Sequence, residues 1–214
     1  MRPVYILNFK TYPEASGKNA VKLAKICKKV AGKKKASVIV AVQAADIYDV
    51  ALTGIKTIAQ HVDAAEPGRN TGFVLAKDVK ENGAIGTLLN HSEHKLKFDV
   101  LKSAIKICRE NKLIVVACAS TPAEAEKISR LKPDYIAVEP PELIAGKVSV
   151  SEAKPEVITG TLKRVKKIPV LCGAGIHTRN DVKTAFKLGA KGILVASGVV
   201  KARNKEKELG ELII

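Results

Sequence analysis

Short apolar, β-branched runs recur along the chain at residues 4–9, 37–42, 57–62, 84–89, 113–117, 135–138, 169–171 and 192–195. They are nearly continuous in apolar residues rather than alternating. That pattern belongs to parallel strands buried on both faces. The segments between them keep helical spacing. In residues 16–30, Val21, Leu23, Ala24, Ile26, Cys27 and Val30 form an apolar stripe with lysines opposite. In residues 96–108, Leu101, Ala104, Ile105 and Cys108 share one face. Residues 121–131 open as "TPAEAE", an N-cap followed by a proline at the first helical position and early acids. Residues 178–188 begin with a capping threonine and stop at Gly189. The helical segment after the third run is short.

Eight predicted strands alternating with helices or helical turns fit a (β/α)8 barrel, and 214 residues lies near the lower size limit of that fold. A doubly wound open sheet is the alternative α/β architecture. It typically has fewer strands and often a glycine-rich turn after the first. Here the first strand is followed by "NFKTYPEASG", which is no dinucleotide fingerprint. No linker, composition break or tandem repeat divides residues 1–214, so a single domain is expected.

In a (β/α)8 barrel, chemistry gathers at the C-terminal ends of the strands. The first strand end offers Asn8 and Lys10, and the third offers Gln60 and His61. The fourth offers Asn90, His91 and Glu93, and the sixth Glu139 before "PPELIAGK". The seventh and eighth end in the small-residue stretches "CGAGI" and "VASG". Small residues let backbone amides approach a phosphate. A lysine, a histidine and a carboxylate around such a site suggest proton abstraction next to a carbonyl. His91 and His94 have no partner at metal-ligand spacing, and neither a GxSxG elbow nor a P-loop is present. By itself, the polar turn after the fourth strand also reads as a helix-capping turn. A helix starting directly after it would point its positive end at His91 and disfavour the imidazolium.

Composition narrows the partners. The formal charge of +16 suggests an anionic ligand, nucleic acid, membrane surface or phosphorylated small molecule. The lysines lie mostly on helix faces, and Lys33–Lys35 reads as a solvated run. With aromatics at 4% and no tryptophan, the stacking platforms of a single-strand-binding surface are missing, so no nucleic-acid partner is expected. No apolar run approaches the roughly 18 residues of a membrane-spanning helix, and "MRPVYILNFK" is no signal peptide. The chain is expected to be cytoplasmic, without a membrane partner. Cys27, Cys108, Cys118 and Cys172 are scattered without a CxxC pair and are expected to be buried free thiols.

The stretches "NFKTY", "AQHV", "GTLLNHSE", "VEPPELIAG", "VLCGAGI" and "LVAS", in that order, resemble the triosephosphate isomerase family in its shorter, archaeal-type form. The resemblance runs along nearly the whole chain. It is specific because "NHSE" occurs together with Asn-x-Lys and the Glu-Pro lid. It implies a TIM barrel that needs no cofactor and no metal, acting on a small phosphorylated triose in glycolysis and gluconeogenesis. Glu139 would abstract the proton from carbon one of dihydroxyacetone phosphate and return it at carbon two. His91 would polarise the carbonyl and shuttle protons between the oxygens. Lys10 would hold the developing negative charge and help bind phosphate. Asn8 would orient substrate and lysine, and Glu93 would support that lysine. Gly175, Ala196 and Ser197 would offer amides to the phosphate, with Ile144 in a lid closing over it.

Two departures from the family pattern stand out. The lid tip reads Ile144-Ala145-Gly146-Lys147 where relatives carry I-G-T-G, and Gly175 stands where many relatives have serine. The loop "DAAEPGRNTG" matches the one that docks into a neighbouring subunit in the family, which implies a homo-oligomer, with a tetramer favoured over a dimer. Among the other histidines, His61 is expected beneath the site, His94 on a helix surface and His177 in an exposed loop. Another phosphate-binding barrel enzyme and a basic nucleic-acid-binding protein are the alternatives to the isomerase.

Overall fold

The computed structural model describes residues 2–139 and 155–214. Eight parallel strands close into a barrel in sequence order. They are β1 (Val4–Asn8), β2 (Ser37–Val42), β3 (Lys56–Ala59), β4 (Gly86–Leu89), β5 (Ile114–Ala119), β6 (Tyr135–Val138), β7 (Val170–Cys172) and β8 (Gly192–Val195). The ring closes where β8 pairs with β1, from Val4 opposite Gly192 to Leu7 opposite Val195. The expected (β/α)8 barrel is the fold observed.

Strand alternation divides the apolar residues into two cores. Val4, Ile6, Ile39, Ala41, Ile58, Leu88, Val116, Ala137, Leu171 and Leu194 fill the barrel interior. Their neighbours Tyr5, Leu7, Val38, Val40 and Leu89 face outward into the layer of helices. Helix Lys18–Lys34 buries Leu23, Ala24, Cys27 and Val30 there, and Phe98–Glu110 buries Leu101, Ala104, Ile105 and Cys108. Each such leucine or isoleucine side chain contributes about 1.5–3 kcal/mol on burial. Thr121 Oγ1 accepts the Glu124 N–H to cap Pro122–Ser129, and Thr178 with Asp181 forms a capping box on Arg179–Lys187. All four cysteines are free and buried, as expected. Burial pushes the thiols of Cys27, Cys108 and Cys172 up to about 12.

The sequence-based bounds err where side chains capture the backbone. β3 stops at Ala59 rather than running to residue 62. There the chain leaves for a side loop whose ends are joined by Asp63 N–H to the Val74 carbonyl (2.8 Å) and Val74 N–H to Asp63 Oδ2 (2.7 Å). The helix expected from residue 96 starts at Phe98, because the Leu96 N–H is already held by Asn90 Oδ1 at 3.0 Å. After β8 there are two short helices, Ser197–Val200 and Lys205–Leu212. Lys29 and Lys33 of the long first helix pair with Glu206 of the last at 2.7 and 2.8 Å. Lys33–Lys35 is exposed, as a solvated run should be.

Candidate active site

The alternation that packs Val4 and Ile6 into the barrel also turns Asn8 inward, at 4% exposure. Asn8 Oδ1 then accepts the backbone N–H of Lys10 at 2.9 Å, a turn in which the asparagine side chain stands in for backbone. Lys10 adopts φ of 49°, an uncommon left-handed conformation for a residue with a side chain. Gln60, just past β3, locks this turn from two strands away, across β2. Its Nε2 donates to Asn8 Oδ1 (3.2 Å), the Lys10 carbonyl (2.9 Å) and the Ala41 carbonyl (3.2 Å). The Lys10 ammonium reaches Glu93 Oε1 at 2.6 Å.

At the end of β4, Asn90 takes φ of 59° and reverses the chain, so that His91 rather than Asn90 faces the barrel mouth. The Glu93 backbone N–H points at His91 Nδ1, 3.2 Å away. With the Glu93 N–H directed at it, Nδ1 is the accepting nitrogen of the ring, which leaves Nε2 as the one placed to donate. The helix expected directly after the turn begins at Phe98 instead, and the local amide of Glu93, rather than a helix start, faces the ring.

His91 Nε2 lies 3.3 Å from Glu139 Oε1. Glu139 follows Ala137 by the strand period and is 3% exposed. Its other oxygen accepts no hydrogen bond from the described residues. Gly173, at the end of β7, makes room for this carboxylate, since an added Cβ would stand 2.5 Å from Glu139 Cγ. Burial first, and then the charge of Glu139, push the neighbouring Cys118 thiol well above its ordinary range.

Asn8, Lys10, His91, Glu139, Gly175, Ala196 and Ser197 all line one cavity at this end of the barrel. Gly175 turns at φ of 61°. Ser197 begins a short helix, and the first amides of a helix have no partner within it. Glu93 stands outside that cavity and touches it through Lys10. Ile144 and the rest of the expected lid, residues 140–147, lie outside the described residues.

Three residues in this region had no role assigned from sequence. Tyr12 lines the cavity, with the Lys201 ammonium 4.3 Å from its ring centroid. Gln60 stood among the strand-end residues, yet only the fold reveals its three acceptors. Glu124 read as an ordinary helix-start acid and turns out to bond Asn90 (2.9 Å) and Lys95 (2.9 Å). His94 is not on a helix. It sits in the turn with its ring stacked on His61, centroids 4.2 Å apart. His61 also contacts Asp63 at 3.3 Å beside Lys10 and Glu93, and His177 is exposed.

The family model "Triosephosphate isomerase" matches residues 3–212. The triosephosphate isomerase of Methanothermus fervidus is 45% identical over 217 residues, covering 99% of this chain and 98% of the relative. That of Methanocaldococcus jannaschii is 43% identical over 213 residues, with 97% of each chain covered. The crystal structure of triosephosphate isomerase from Bartonella henselae superposes with a TM-score of 0.72 over 94% of each chain, and at 18% identity it attests the fold alone. The chain belongs to the triosephosphate isomerase family and is an isomerase.

Proposed function

We propose that this chain interconverts dihydroxyacetone phosphate and D-glyceraldehyde 3-phosphate in glycolysis and gluconeogenesis, with Glu139, His91 and Lys10 as its catalytic residues. The observation that carries the assignment is the 3.3 Å approach of His91 Nε2 to the buried carboxylate of Glu139, in a cavity also lined by Lys10.

An enediolate mechanism needs a base at carbon and electrophiles at oxygen. Glu139, buried and with one oxygen free of hydrogen bonds from the described residues, takes the proton from carbon one and returns it at carbon two. As that proton leaves, negative charge grows on the carbonyl oxygen. The Nε2–H of a neutral His91 donates to that oxygen and moves a proton between the two substrate oxygens. The Lys10 ammonium, 13% exposed, acts on the same charge with little screening by water. Asn8 holds Lys10 in place, and the loops at Gly175 and at Ala196 and Ser197 present amides to the phosphate. Ile144 completes that end from the lid.

A coupled steady-state assay, run in both directions with the two triose phosphates, tests the assignment. Turnover in both directions is expected, and its absence in either rules out this reaction.

The chain is proposed to work in the cytoplasm as a homo-oligomer, a tetramer in preference to a dimer. The apolar side chains of Phe73 (55% exposed), Tyr48 and Leu52 support self-association. Light scattering at micromolar concentration would overturn this with a monomeric mass.

A further inference from the structure

The turn that carries His91 is fastened at both ends to one carboxylate. Glu124 lies in the first turn of helix Pro122–Ser129, which follows the next strand round the barrel. Its Oε1 accepts from Asn90 Nδ2 at 2.9 Å, at the entry of the turn, and from Lys95 Nζ at 2.9 Å, at its exit. Its Oε2 accepts from Lys95 again at 3.2 Å and from the Ser120 backbone N–H at 2.7 Å. Asn90 has every side-chain polar atom engaged: Nδ2 also donates to the Cys118 carbonyl at 2.9 Å, and Oδ1 accepts the Leu96 N–H at 3.0 Å. Residues 90–96 therefore form a loop closed on the ends of β4 and β5. Its only function-bearing ring, His91, depends for its tautomer on the amide of Glu93 within that loop.

We infer that Glu124 is a positioning residue for catalysis, acting through Asn90 and Lys95 to hold the Glu93 amide against His91 Nδ1 and so keep the proton on Nε2. The inference rests on the reading of His91 as the electrophile. The physical case is one of order. Asn90 occupies a left-handed conformation, a region that asparagine enters more readily than most residues with a side chain, and its contacts hold it there. These contacts are those to Cys118, Leu96 and Glu124. Glu124 stays ionised to serve both partners: burial opposes its charge, but the Ser120 amide, Lys95 and Asn90 outweigh it and leave the carboxyl below its usual range. Without that charge, the exit of the turn at Lys95 has no anchor and the amide of Glu93 no fixed direction.

The test compares Glu124→Ala, Glu124→Gln and Lys95→Met with wild type, and runs His91→Gln as a control. Because misplacing a catalytic group by about an ångström can cost about a hundredfold, Glu124→Ala is expected to lower kcat by about tenfold or more with KM within about twofold. Glu124→Gln, which still offers an acceptor to Asn90 but loses the charge that anchors Lys95, should recover only part of the loss. Heteronuclear NMR of the imidazole nitrogens should show a single Nε2–H tautomer for His91 in wild type and a mixture in Glu124→Ala. If Glu124→Ala does not fold, Lys95→Met, which releases only the exit of the turn, carries the same readouts with a smaller fall in kcat.

A folded Glu124→Ala with wild-type kcat overturns the inference. So does a lowered kcat with an unchanged His91 ring, since Glu124 would then act elsewhere. Full activity in His91→Gln would instead bring down the assignment of His91 itself. A crippled His91→Gln beside a healthy Glu124→Ala brings down only the positioning role.

Discussion

The Lys10 ammonium lies 2.6 Å from Glu93 Oε1, with one side chain 13% exposed and the other 57%. The cation is in the pocket and its anion at the rim. A pair with one partner in water contributes only about 0–1 kcal/mol to folding. Its value lies in holding the ammonium where charge develops.

Lys10→Met should therefore lower kcat/KM by about a hundredfold to a thousandfold, the usual cost of losing a group that stabilises developing negative charge. Glu93→Gln should cost less, since the lysine keeps its charge. Melting temperatures of both variants should stay within about 2–4 °C of wild type. A larger loss of kcat/KM in Glu93→Gln than in Lys10→Met would mean that the two roles are misplaced.

Glu139→Asp keeps the carboxylate but draws it back by one methylene from His91 and from the cavity. Retreat by about an ångström should lower kcat at least a hundredfold and leave KM little changed. Steady-state kinetics on the purified variant decide this, and near-normal turnover removes Glu139 from the role of base.

His91 and His94 share one turn but face different neighbours, Glu139 for the first and the ring of His61 for the second. His91→Gln keeps a donor but loses the proton shuttle, so both the rate and the pattern of hydrogen exchange with solvent should change. His94→Gln should leave kcat/KM near wild type. Assayed side by side, a crippled His94→Gln and a healthy His91→Gln would reduce the polar turn to a capping device.

Acid should expose His61. Burial lowers its pKa, the hydrogen bond with Asp63 opposes that shift, and the nearby His94 adds to it. Below the ordinary histidine value of about 6.5, the unfolded chain binds a proton that the folded chain resists. The contribution of His61 is thus complete above that pH and declines as pH falls toward the folded value. Urea denaturation between pH 7 and pH 5 should show stability falling, and His61→Asn should flatten the slope. An unchanged slope in that variant would assign the acid sensitivity to other groups.

Periodicity alone determined most of the architecture. The runs at residues 4–9, 37–42 and 192–195 had to be buried parallel strands, because nothing but a layer on each face can cover so continuous an apolar surface. Strand-end position then pointed to Asn8, Lys10, His91 and Glu139, since each lies at or just past the end of an apolar run. Motif resemblance supplied their roles, which spacing could not.

What the chain could not reveal along its length was which polar atoms meet. Gln60 and Asn8 are 52 positions apart, and Glu124 and Asn90 are 34 apart. Only the packing of strands side by side brings the ends of β1 and β3 together across β2, and the end of β4 against that of β5. The same holds for His94, whose helical neighbourhood in sequence was overridden when Asn90 captured the Leu96 amide and delayed the helix to Phe98. Local pattern fixes which face a residue takes within its own element. Hydrogen-bond partners across elements are set by strand register and loop geometry, and these exist only once the barrel has closed.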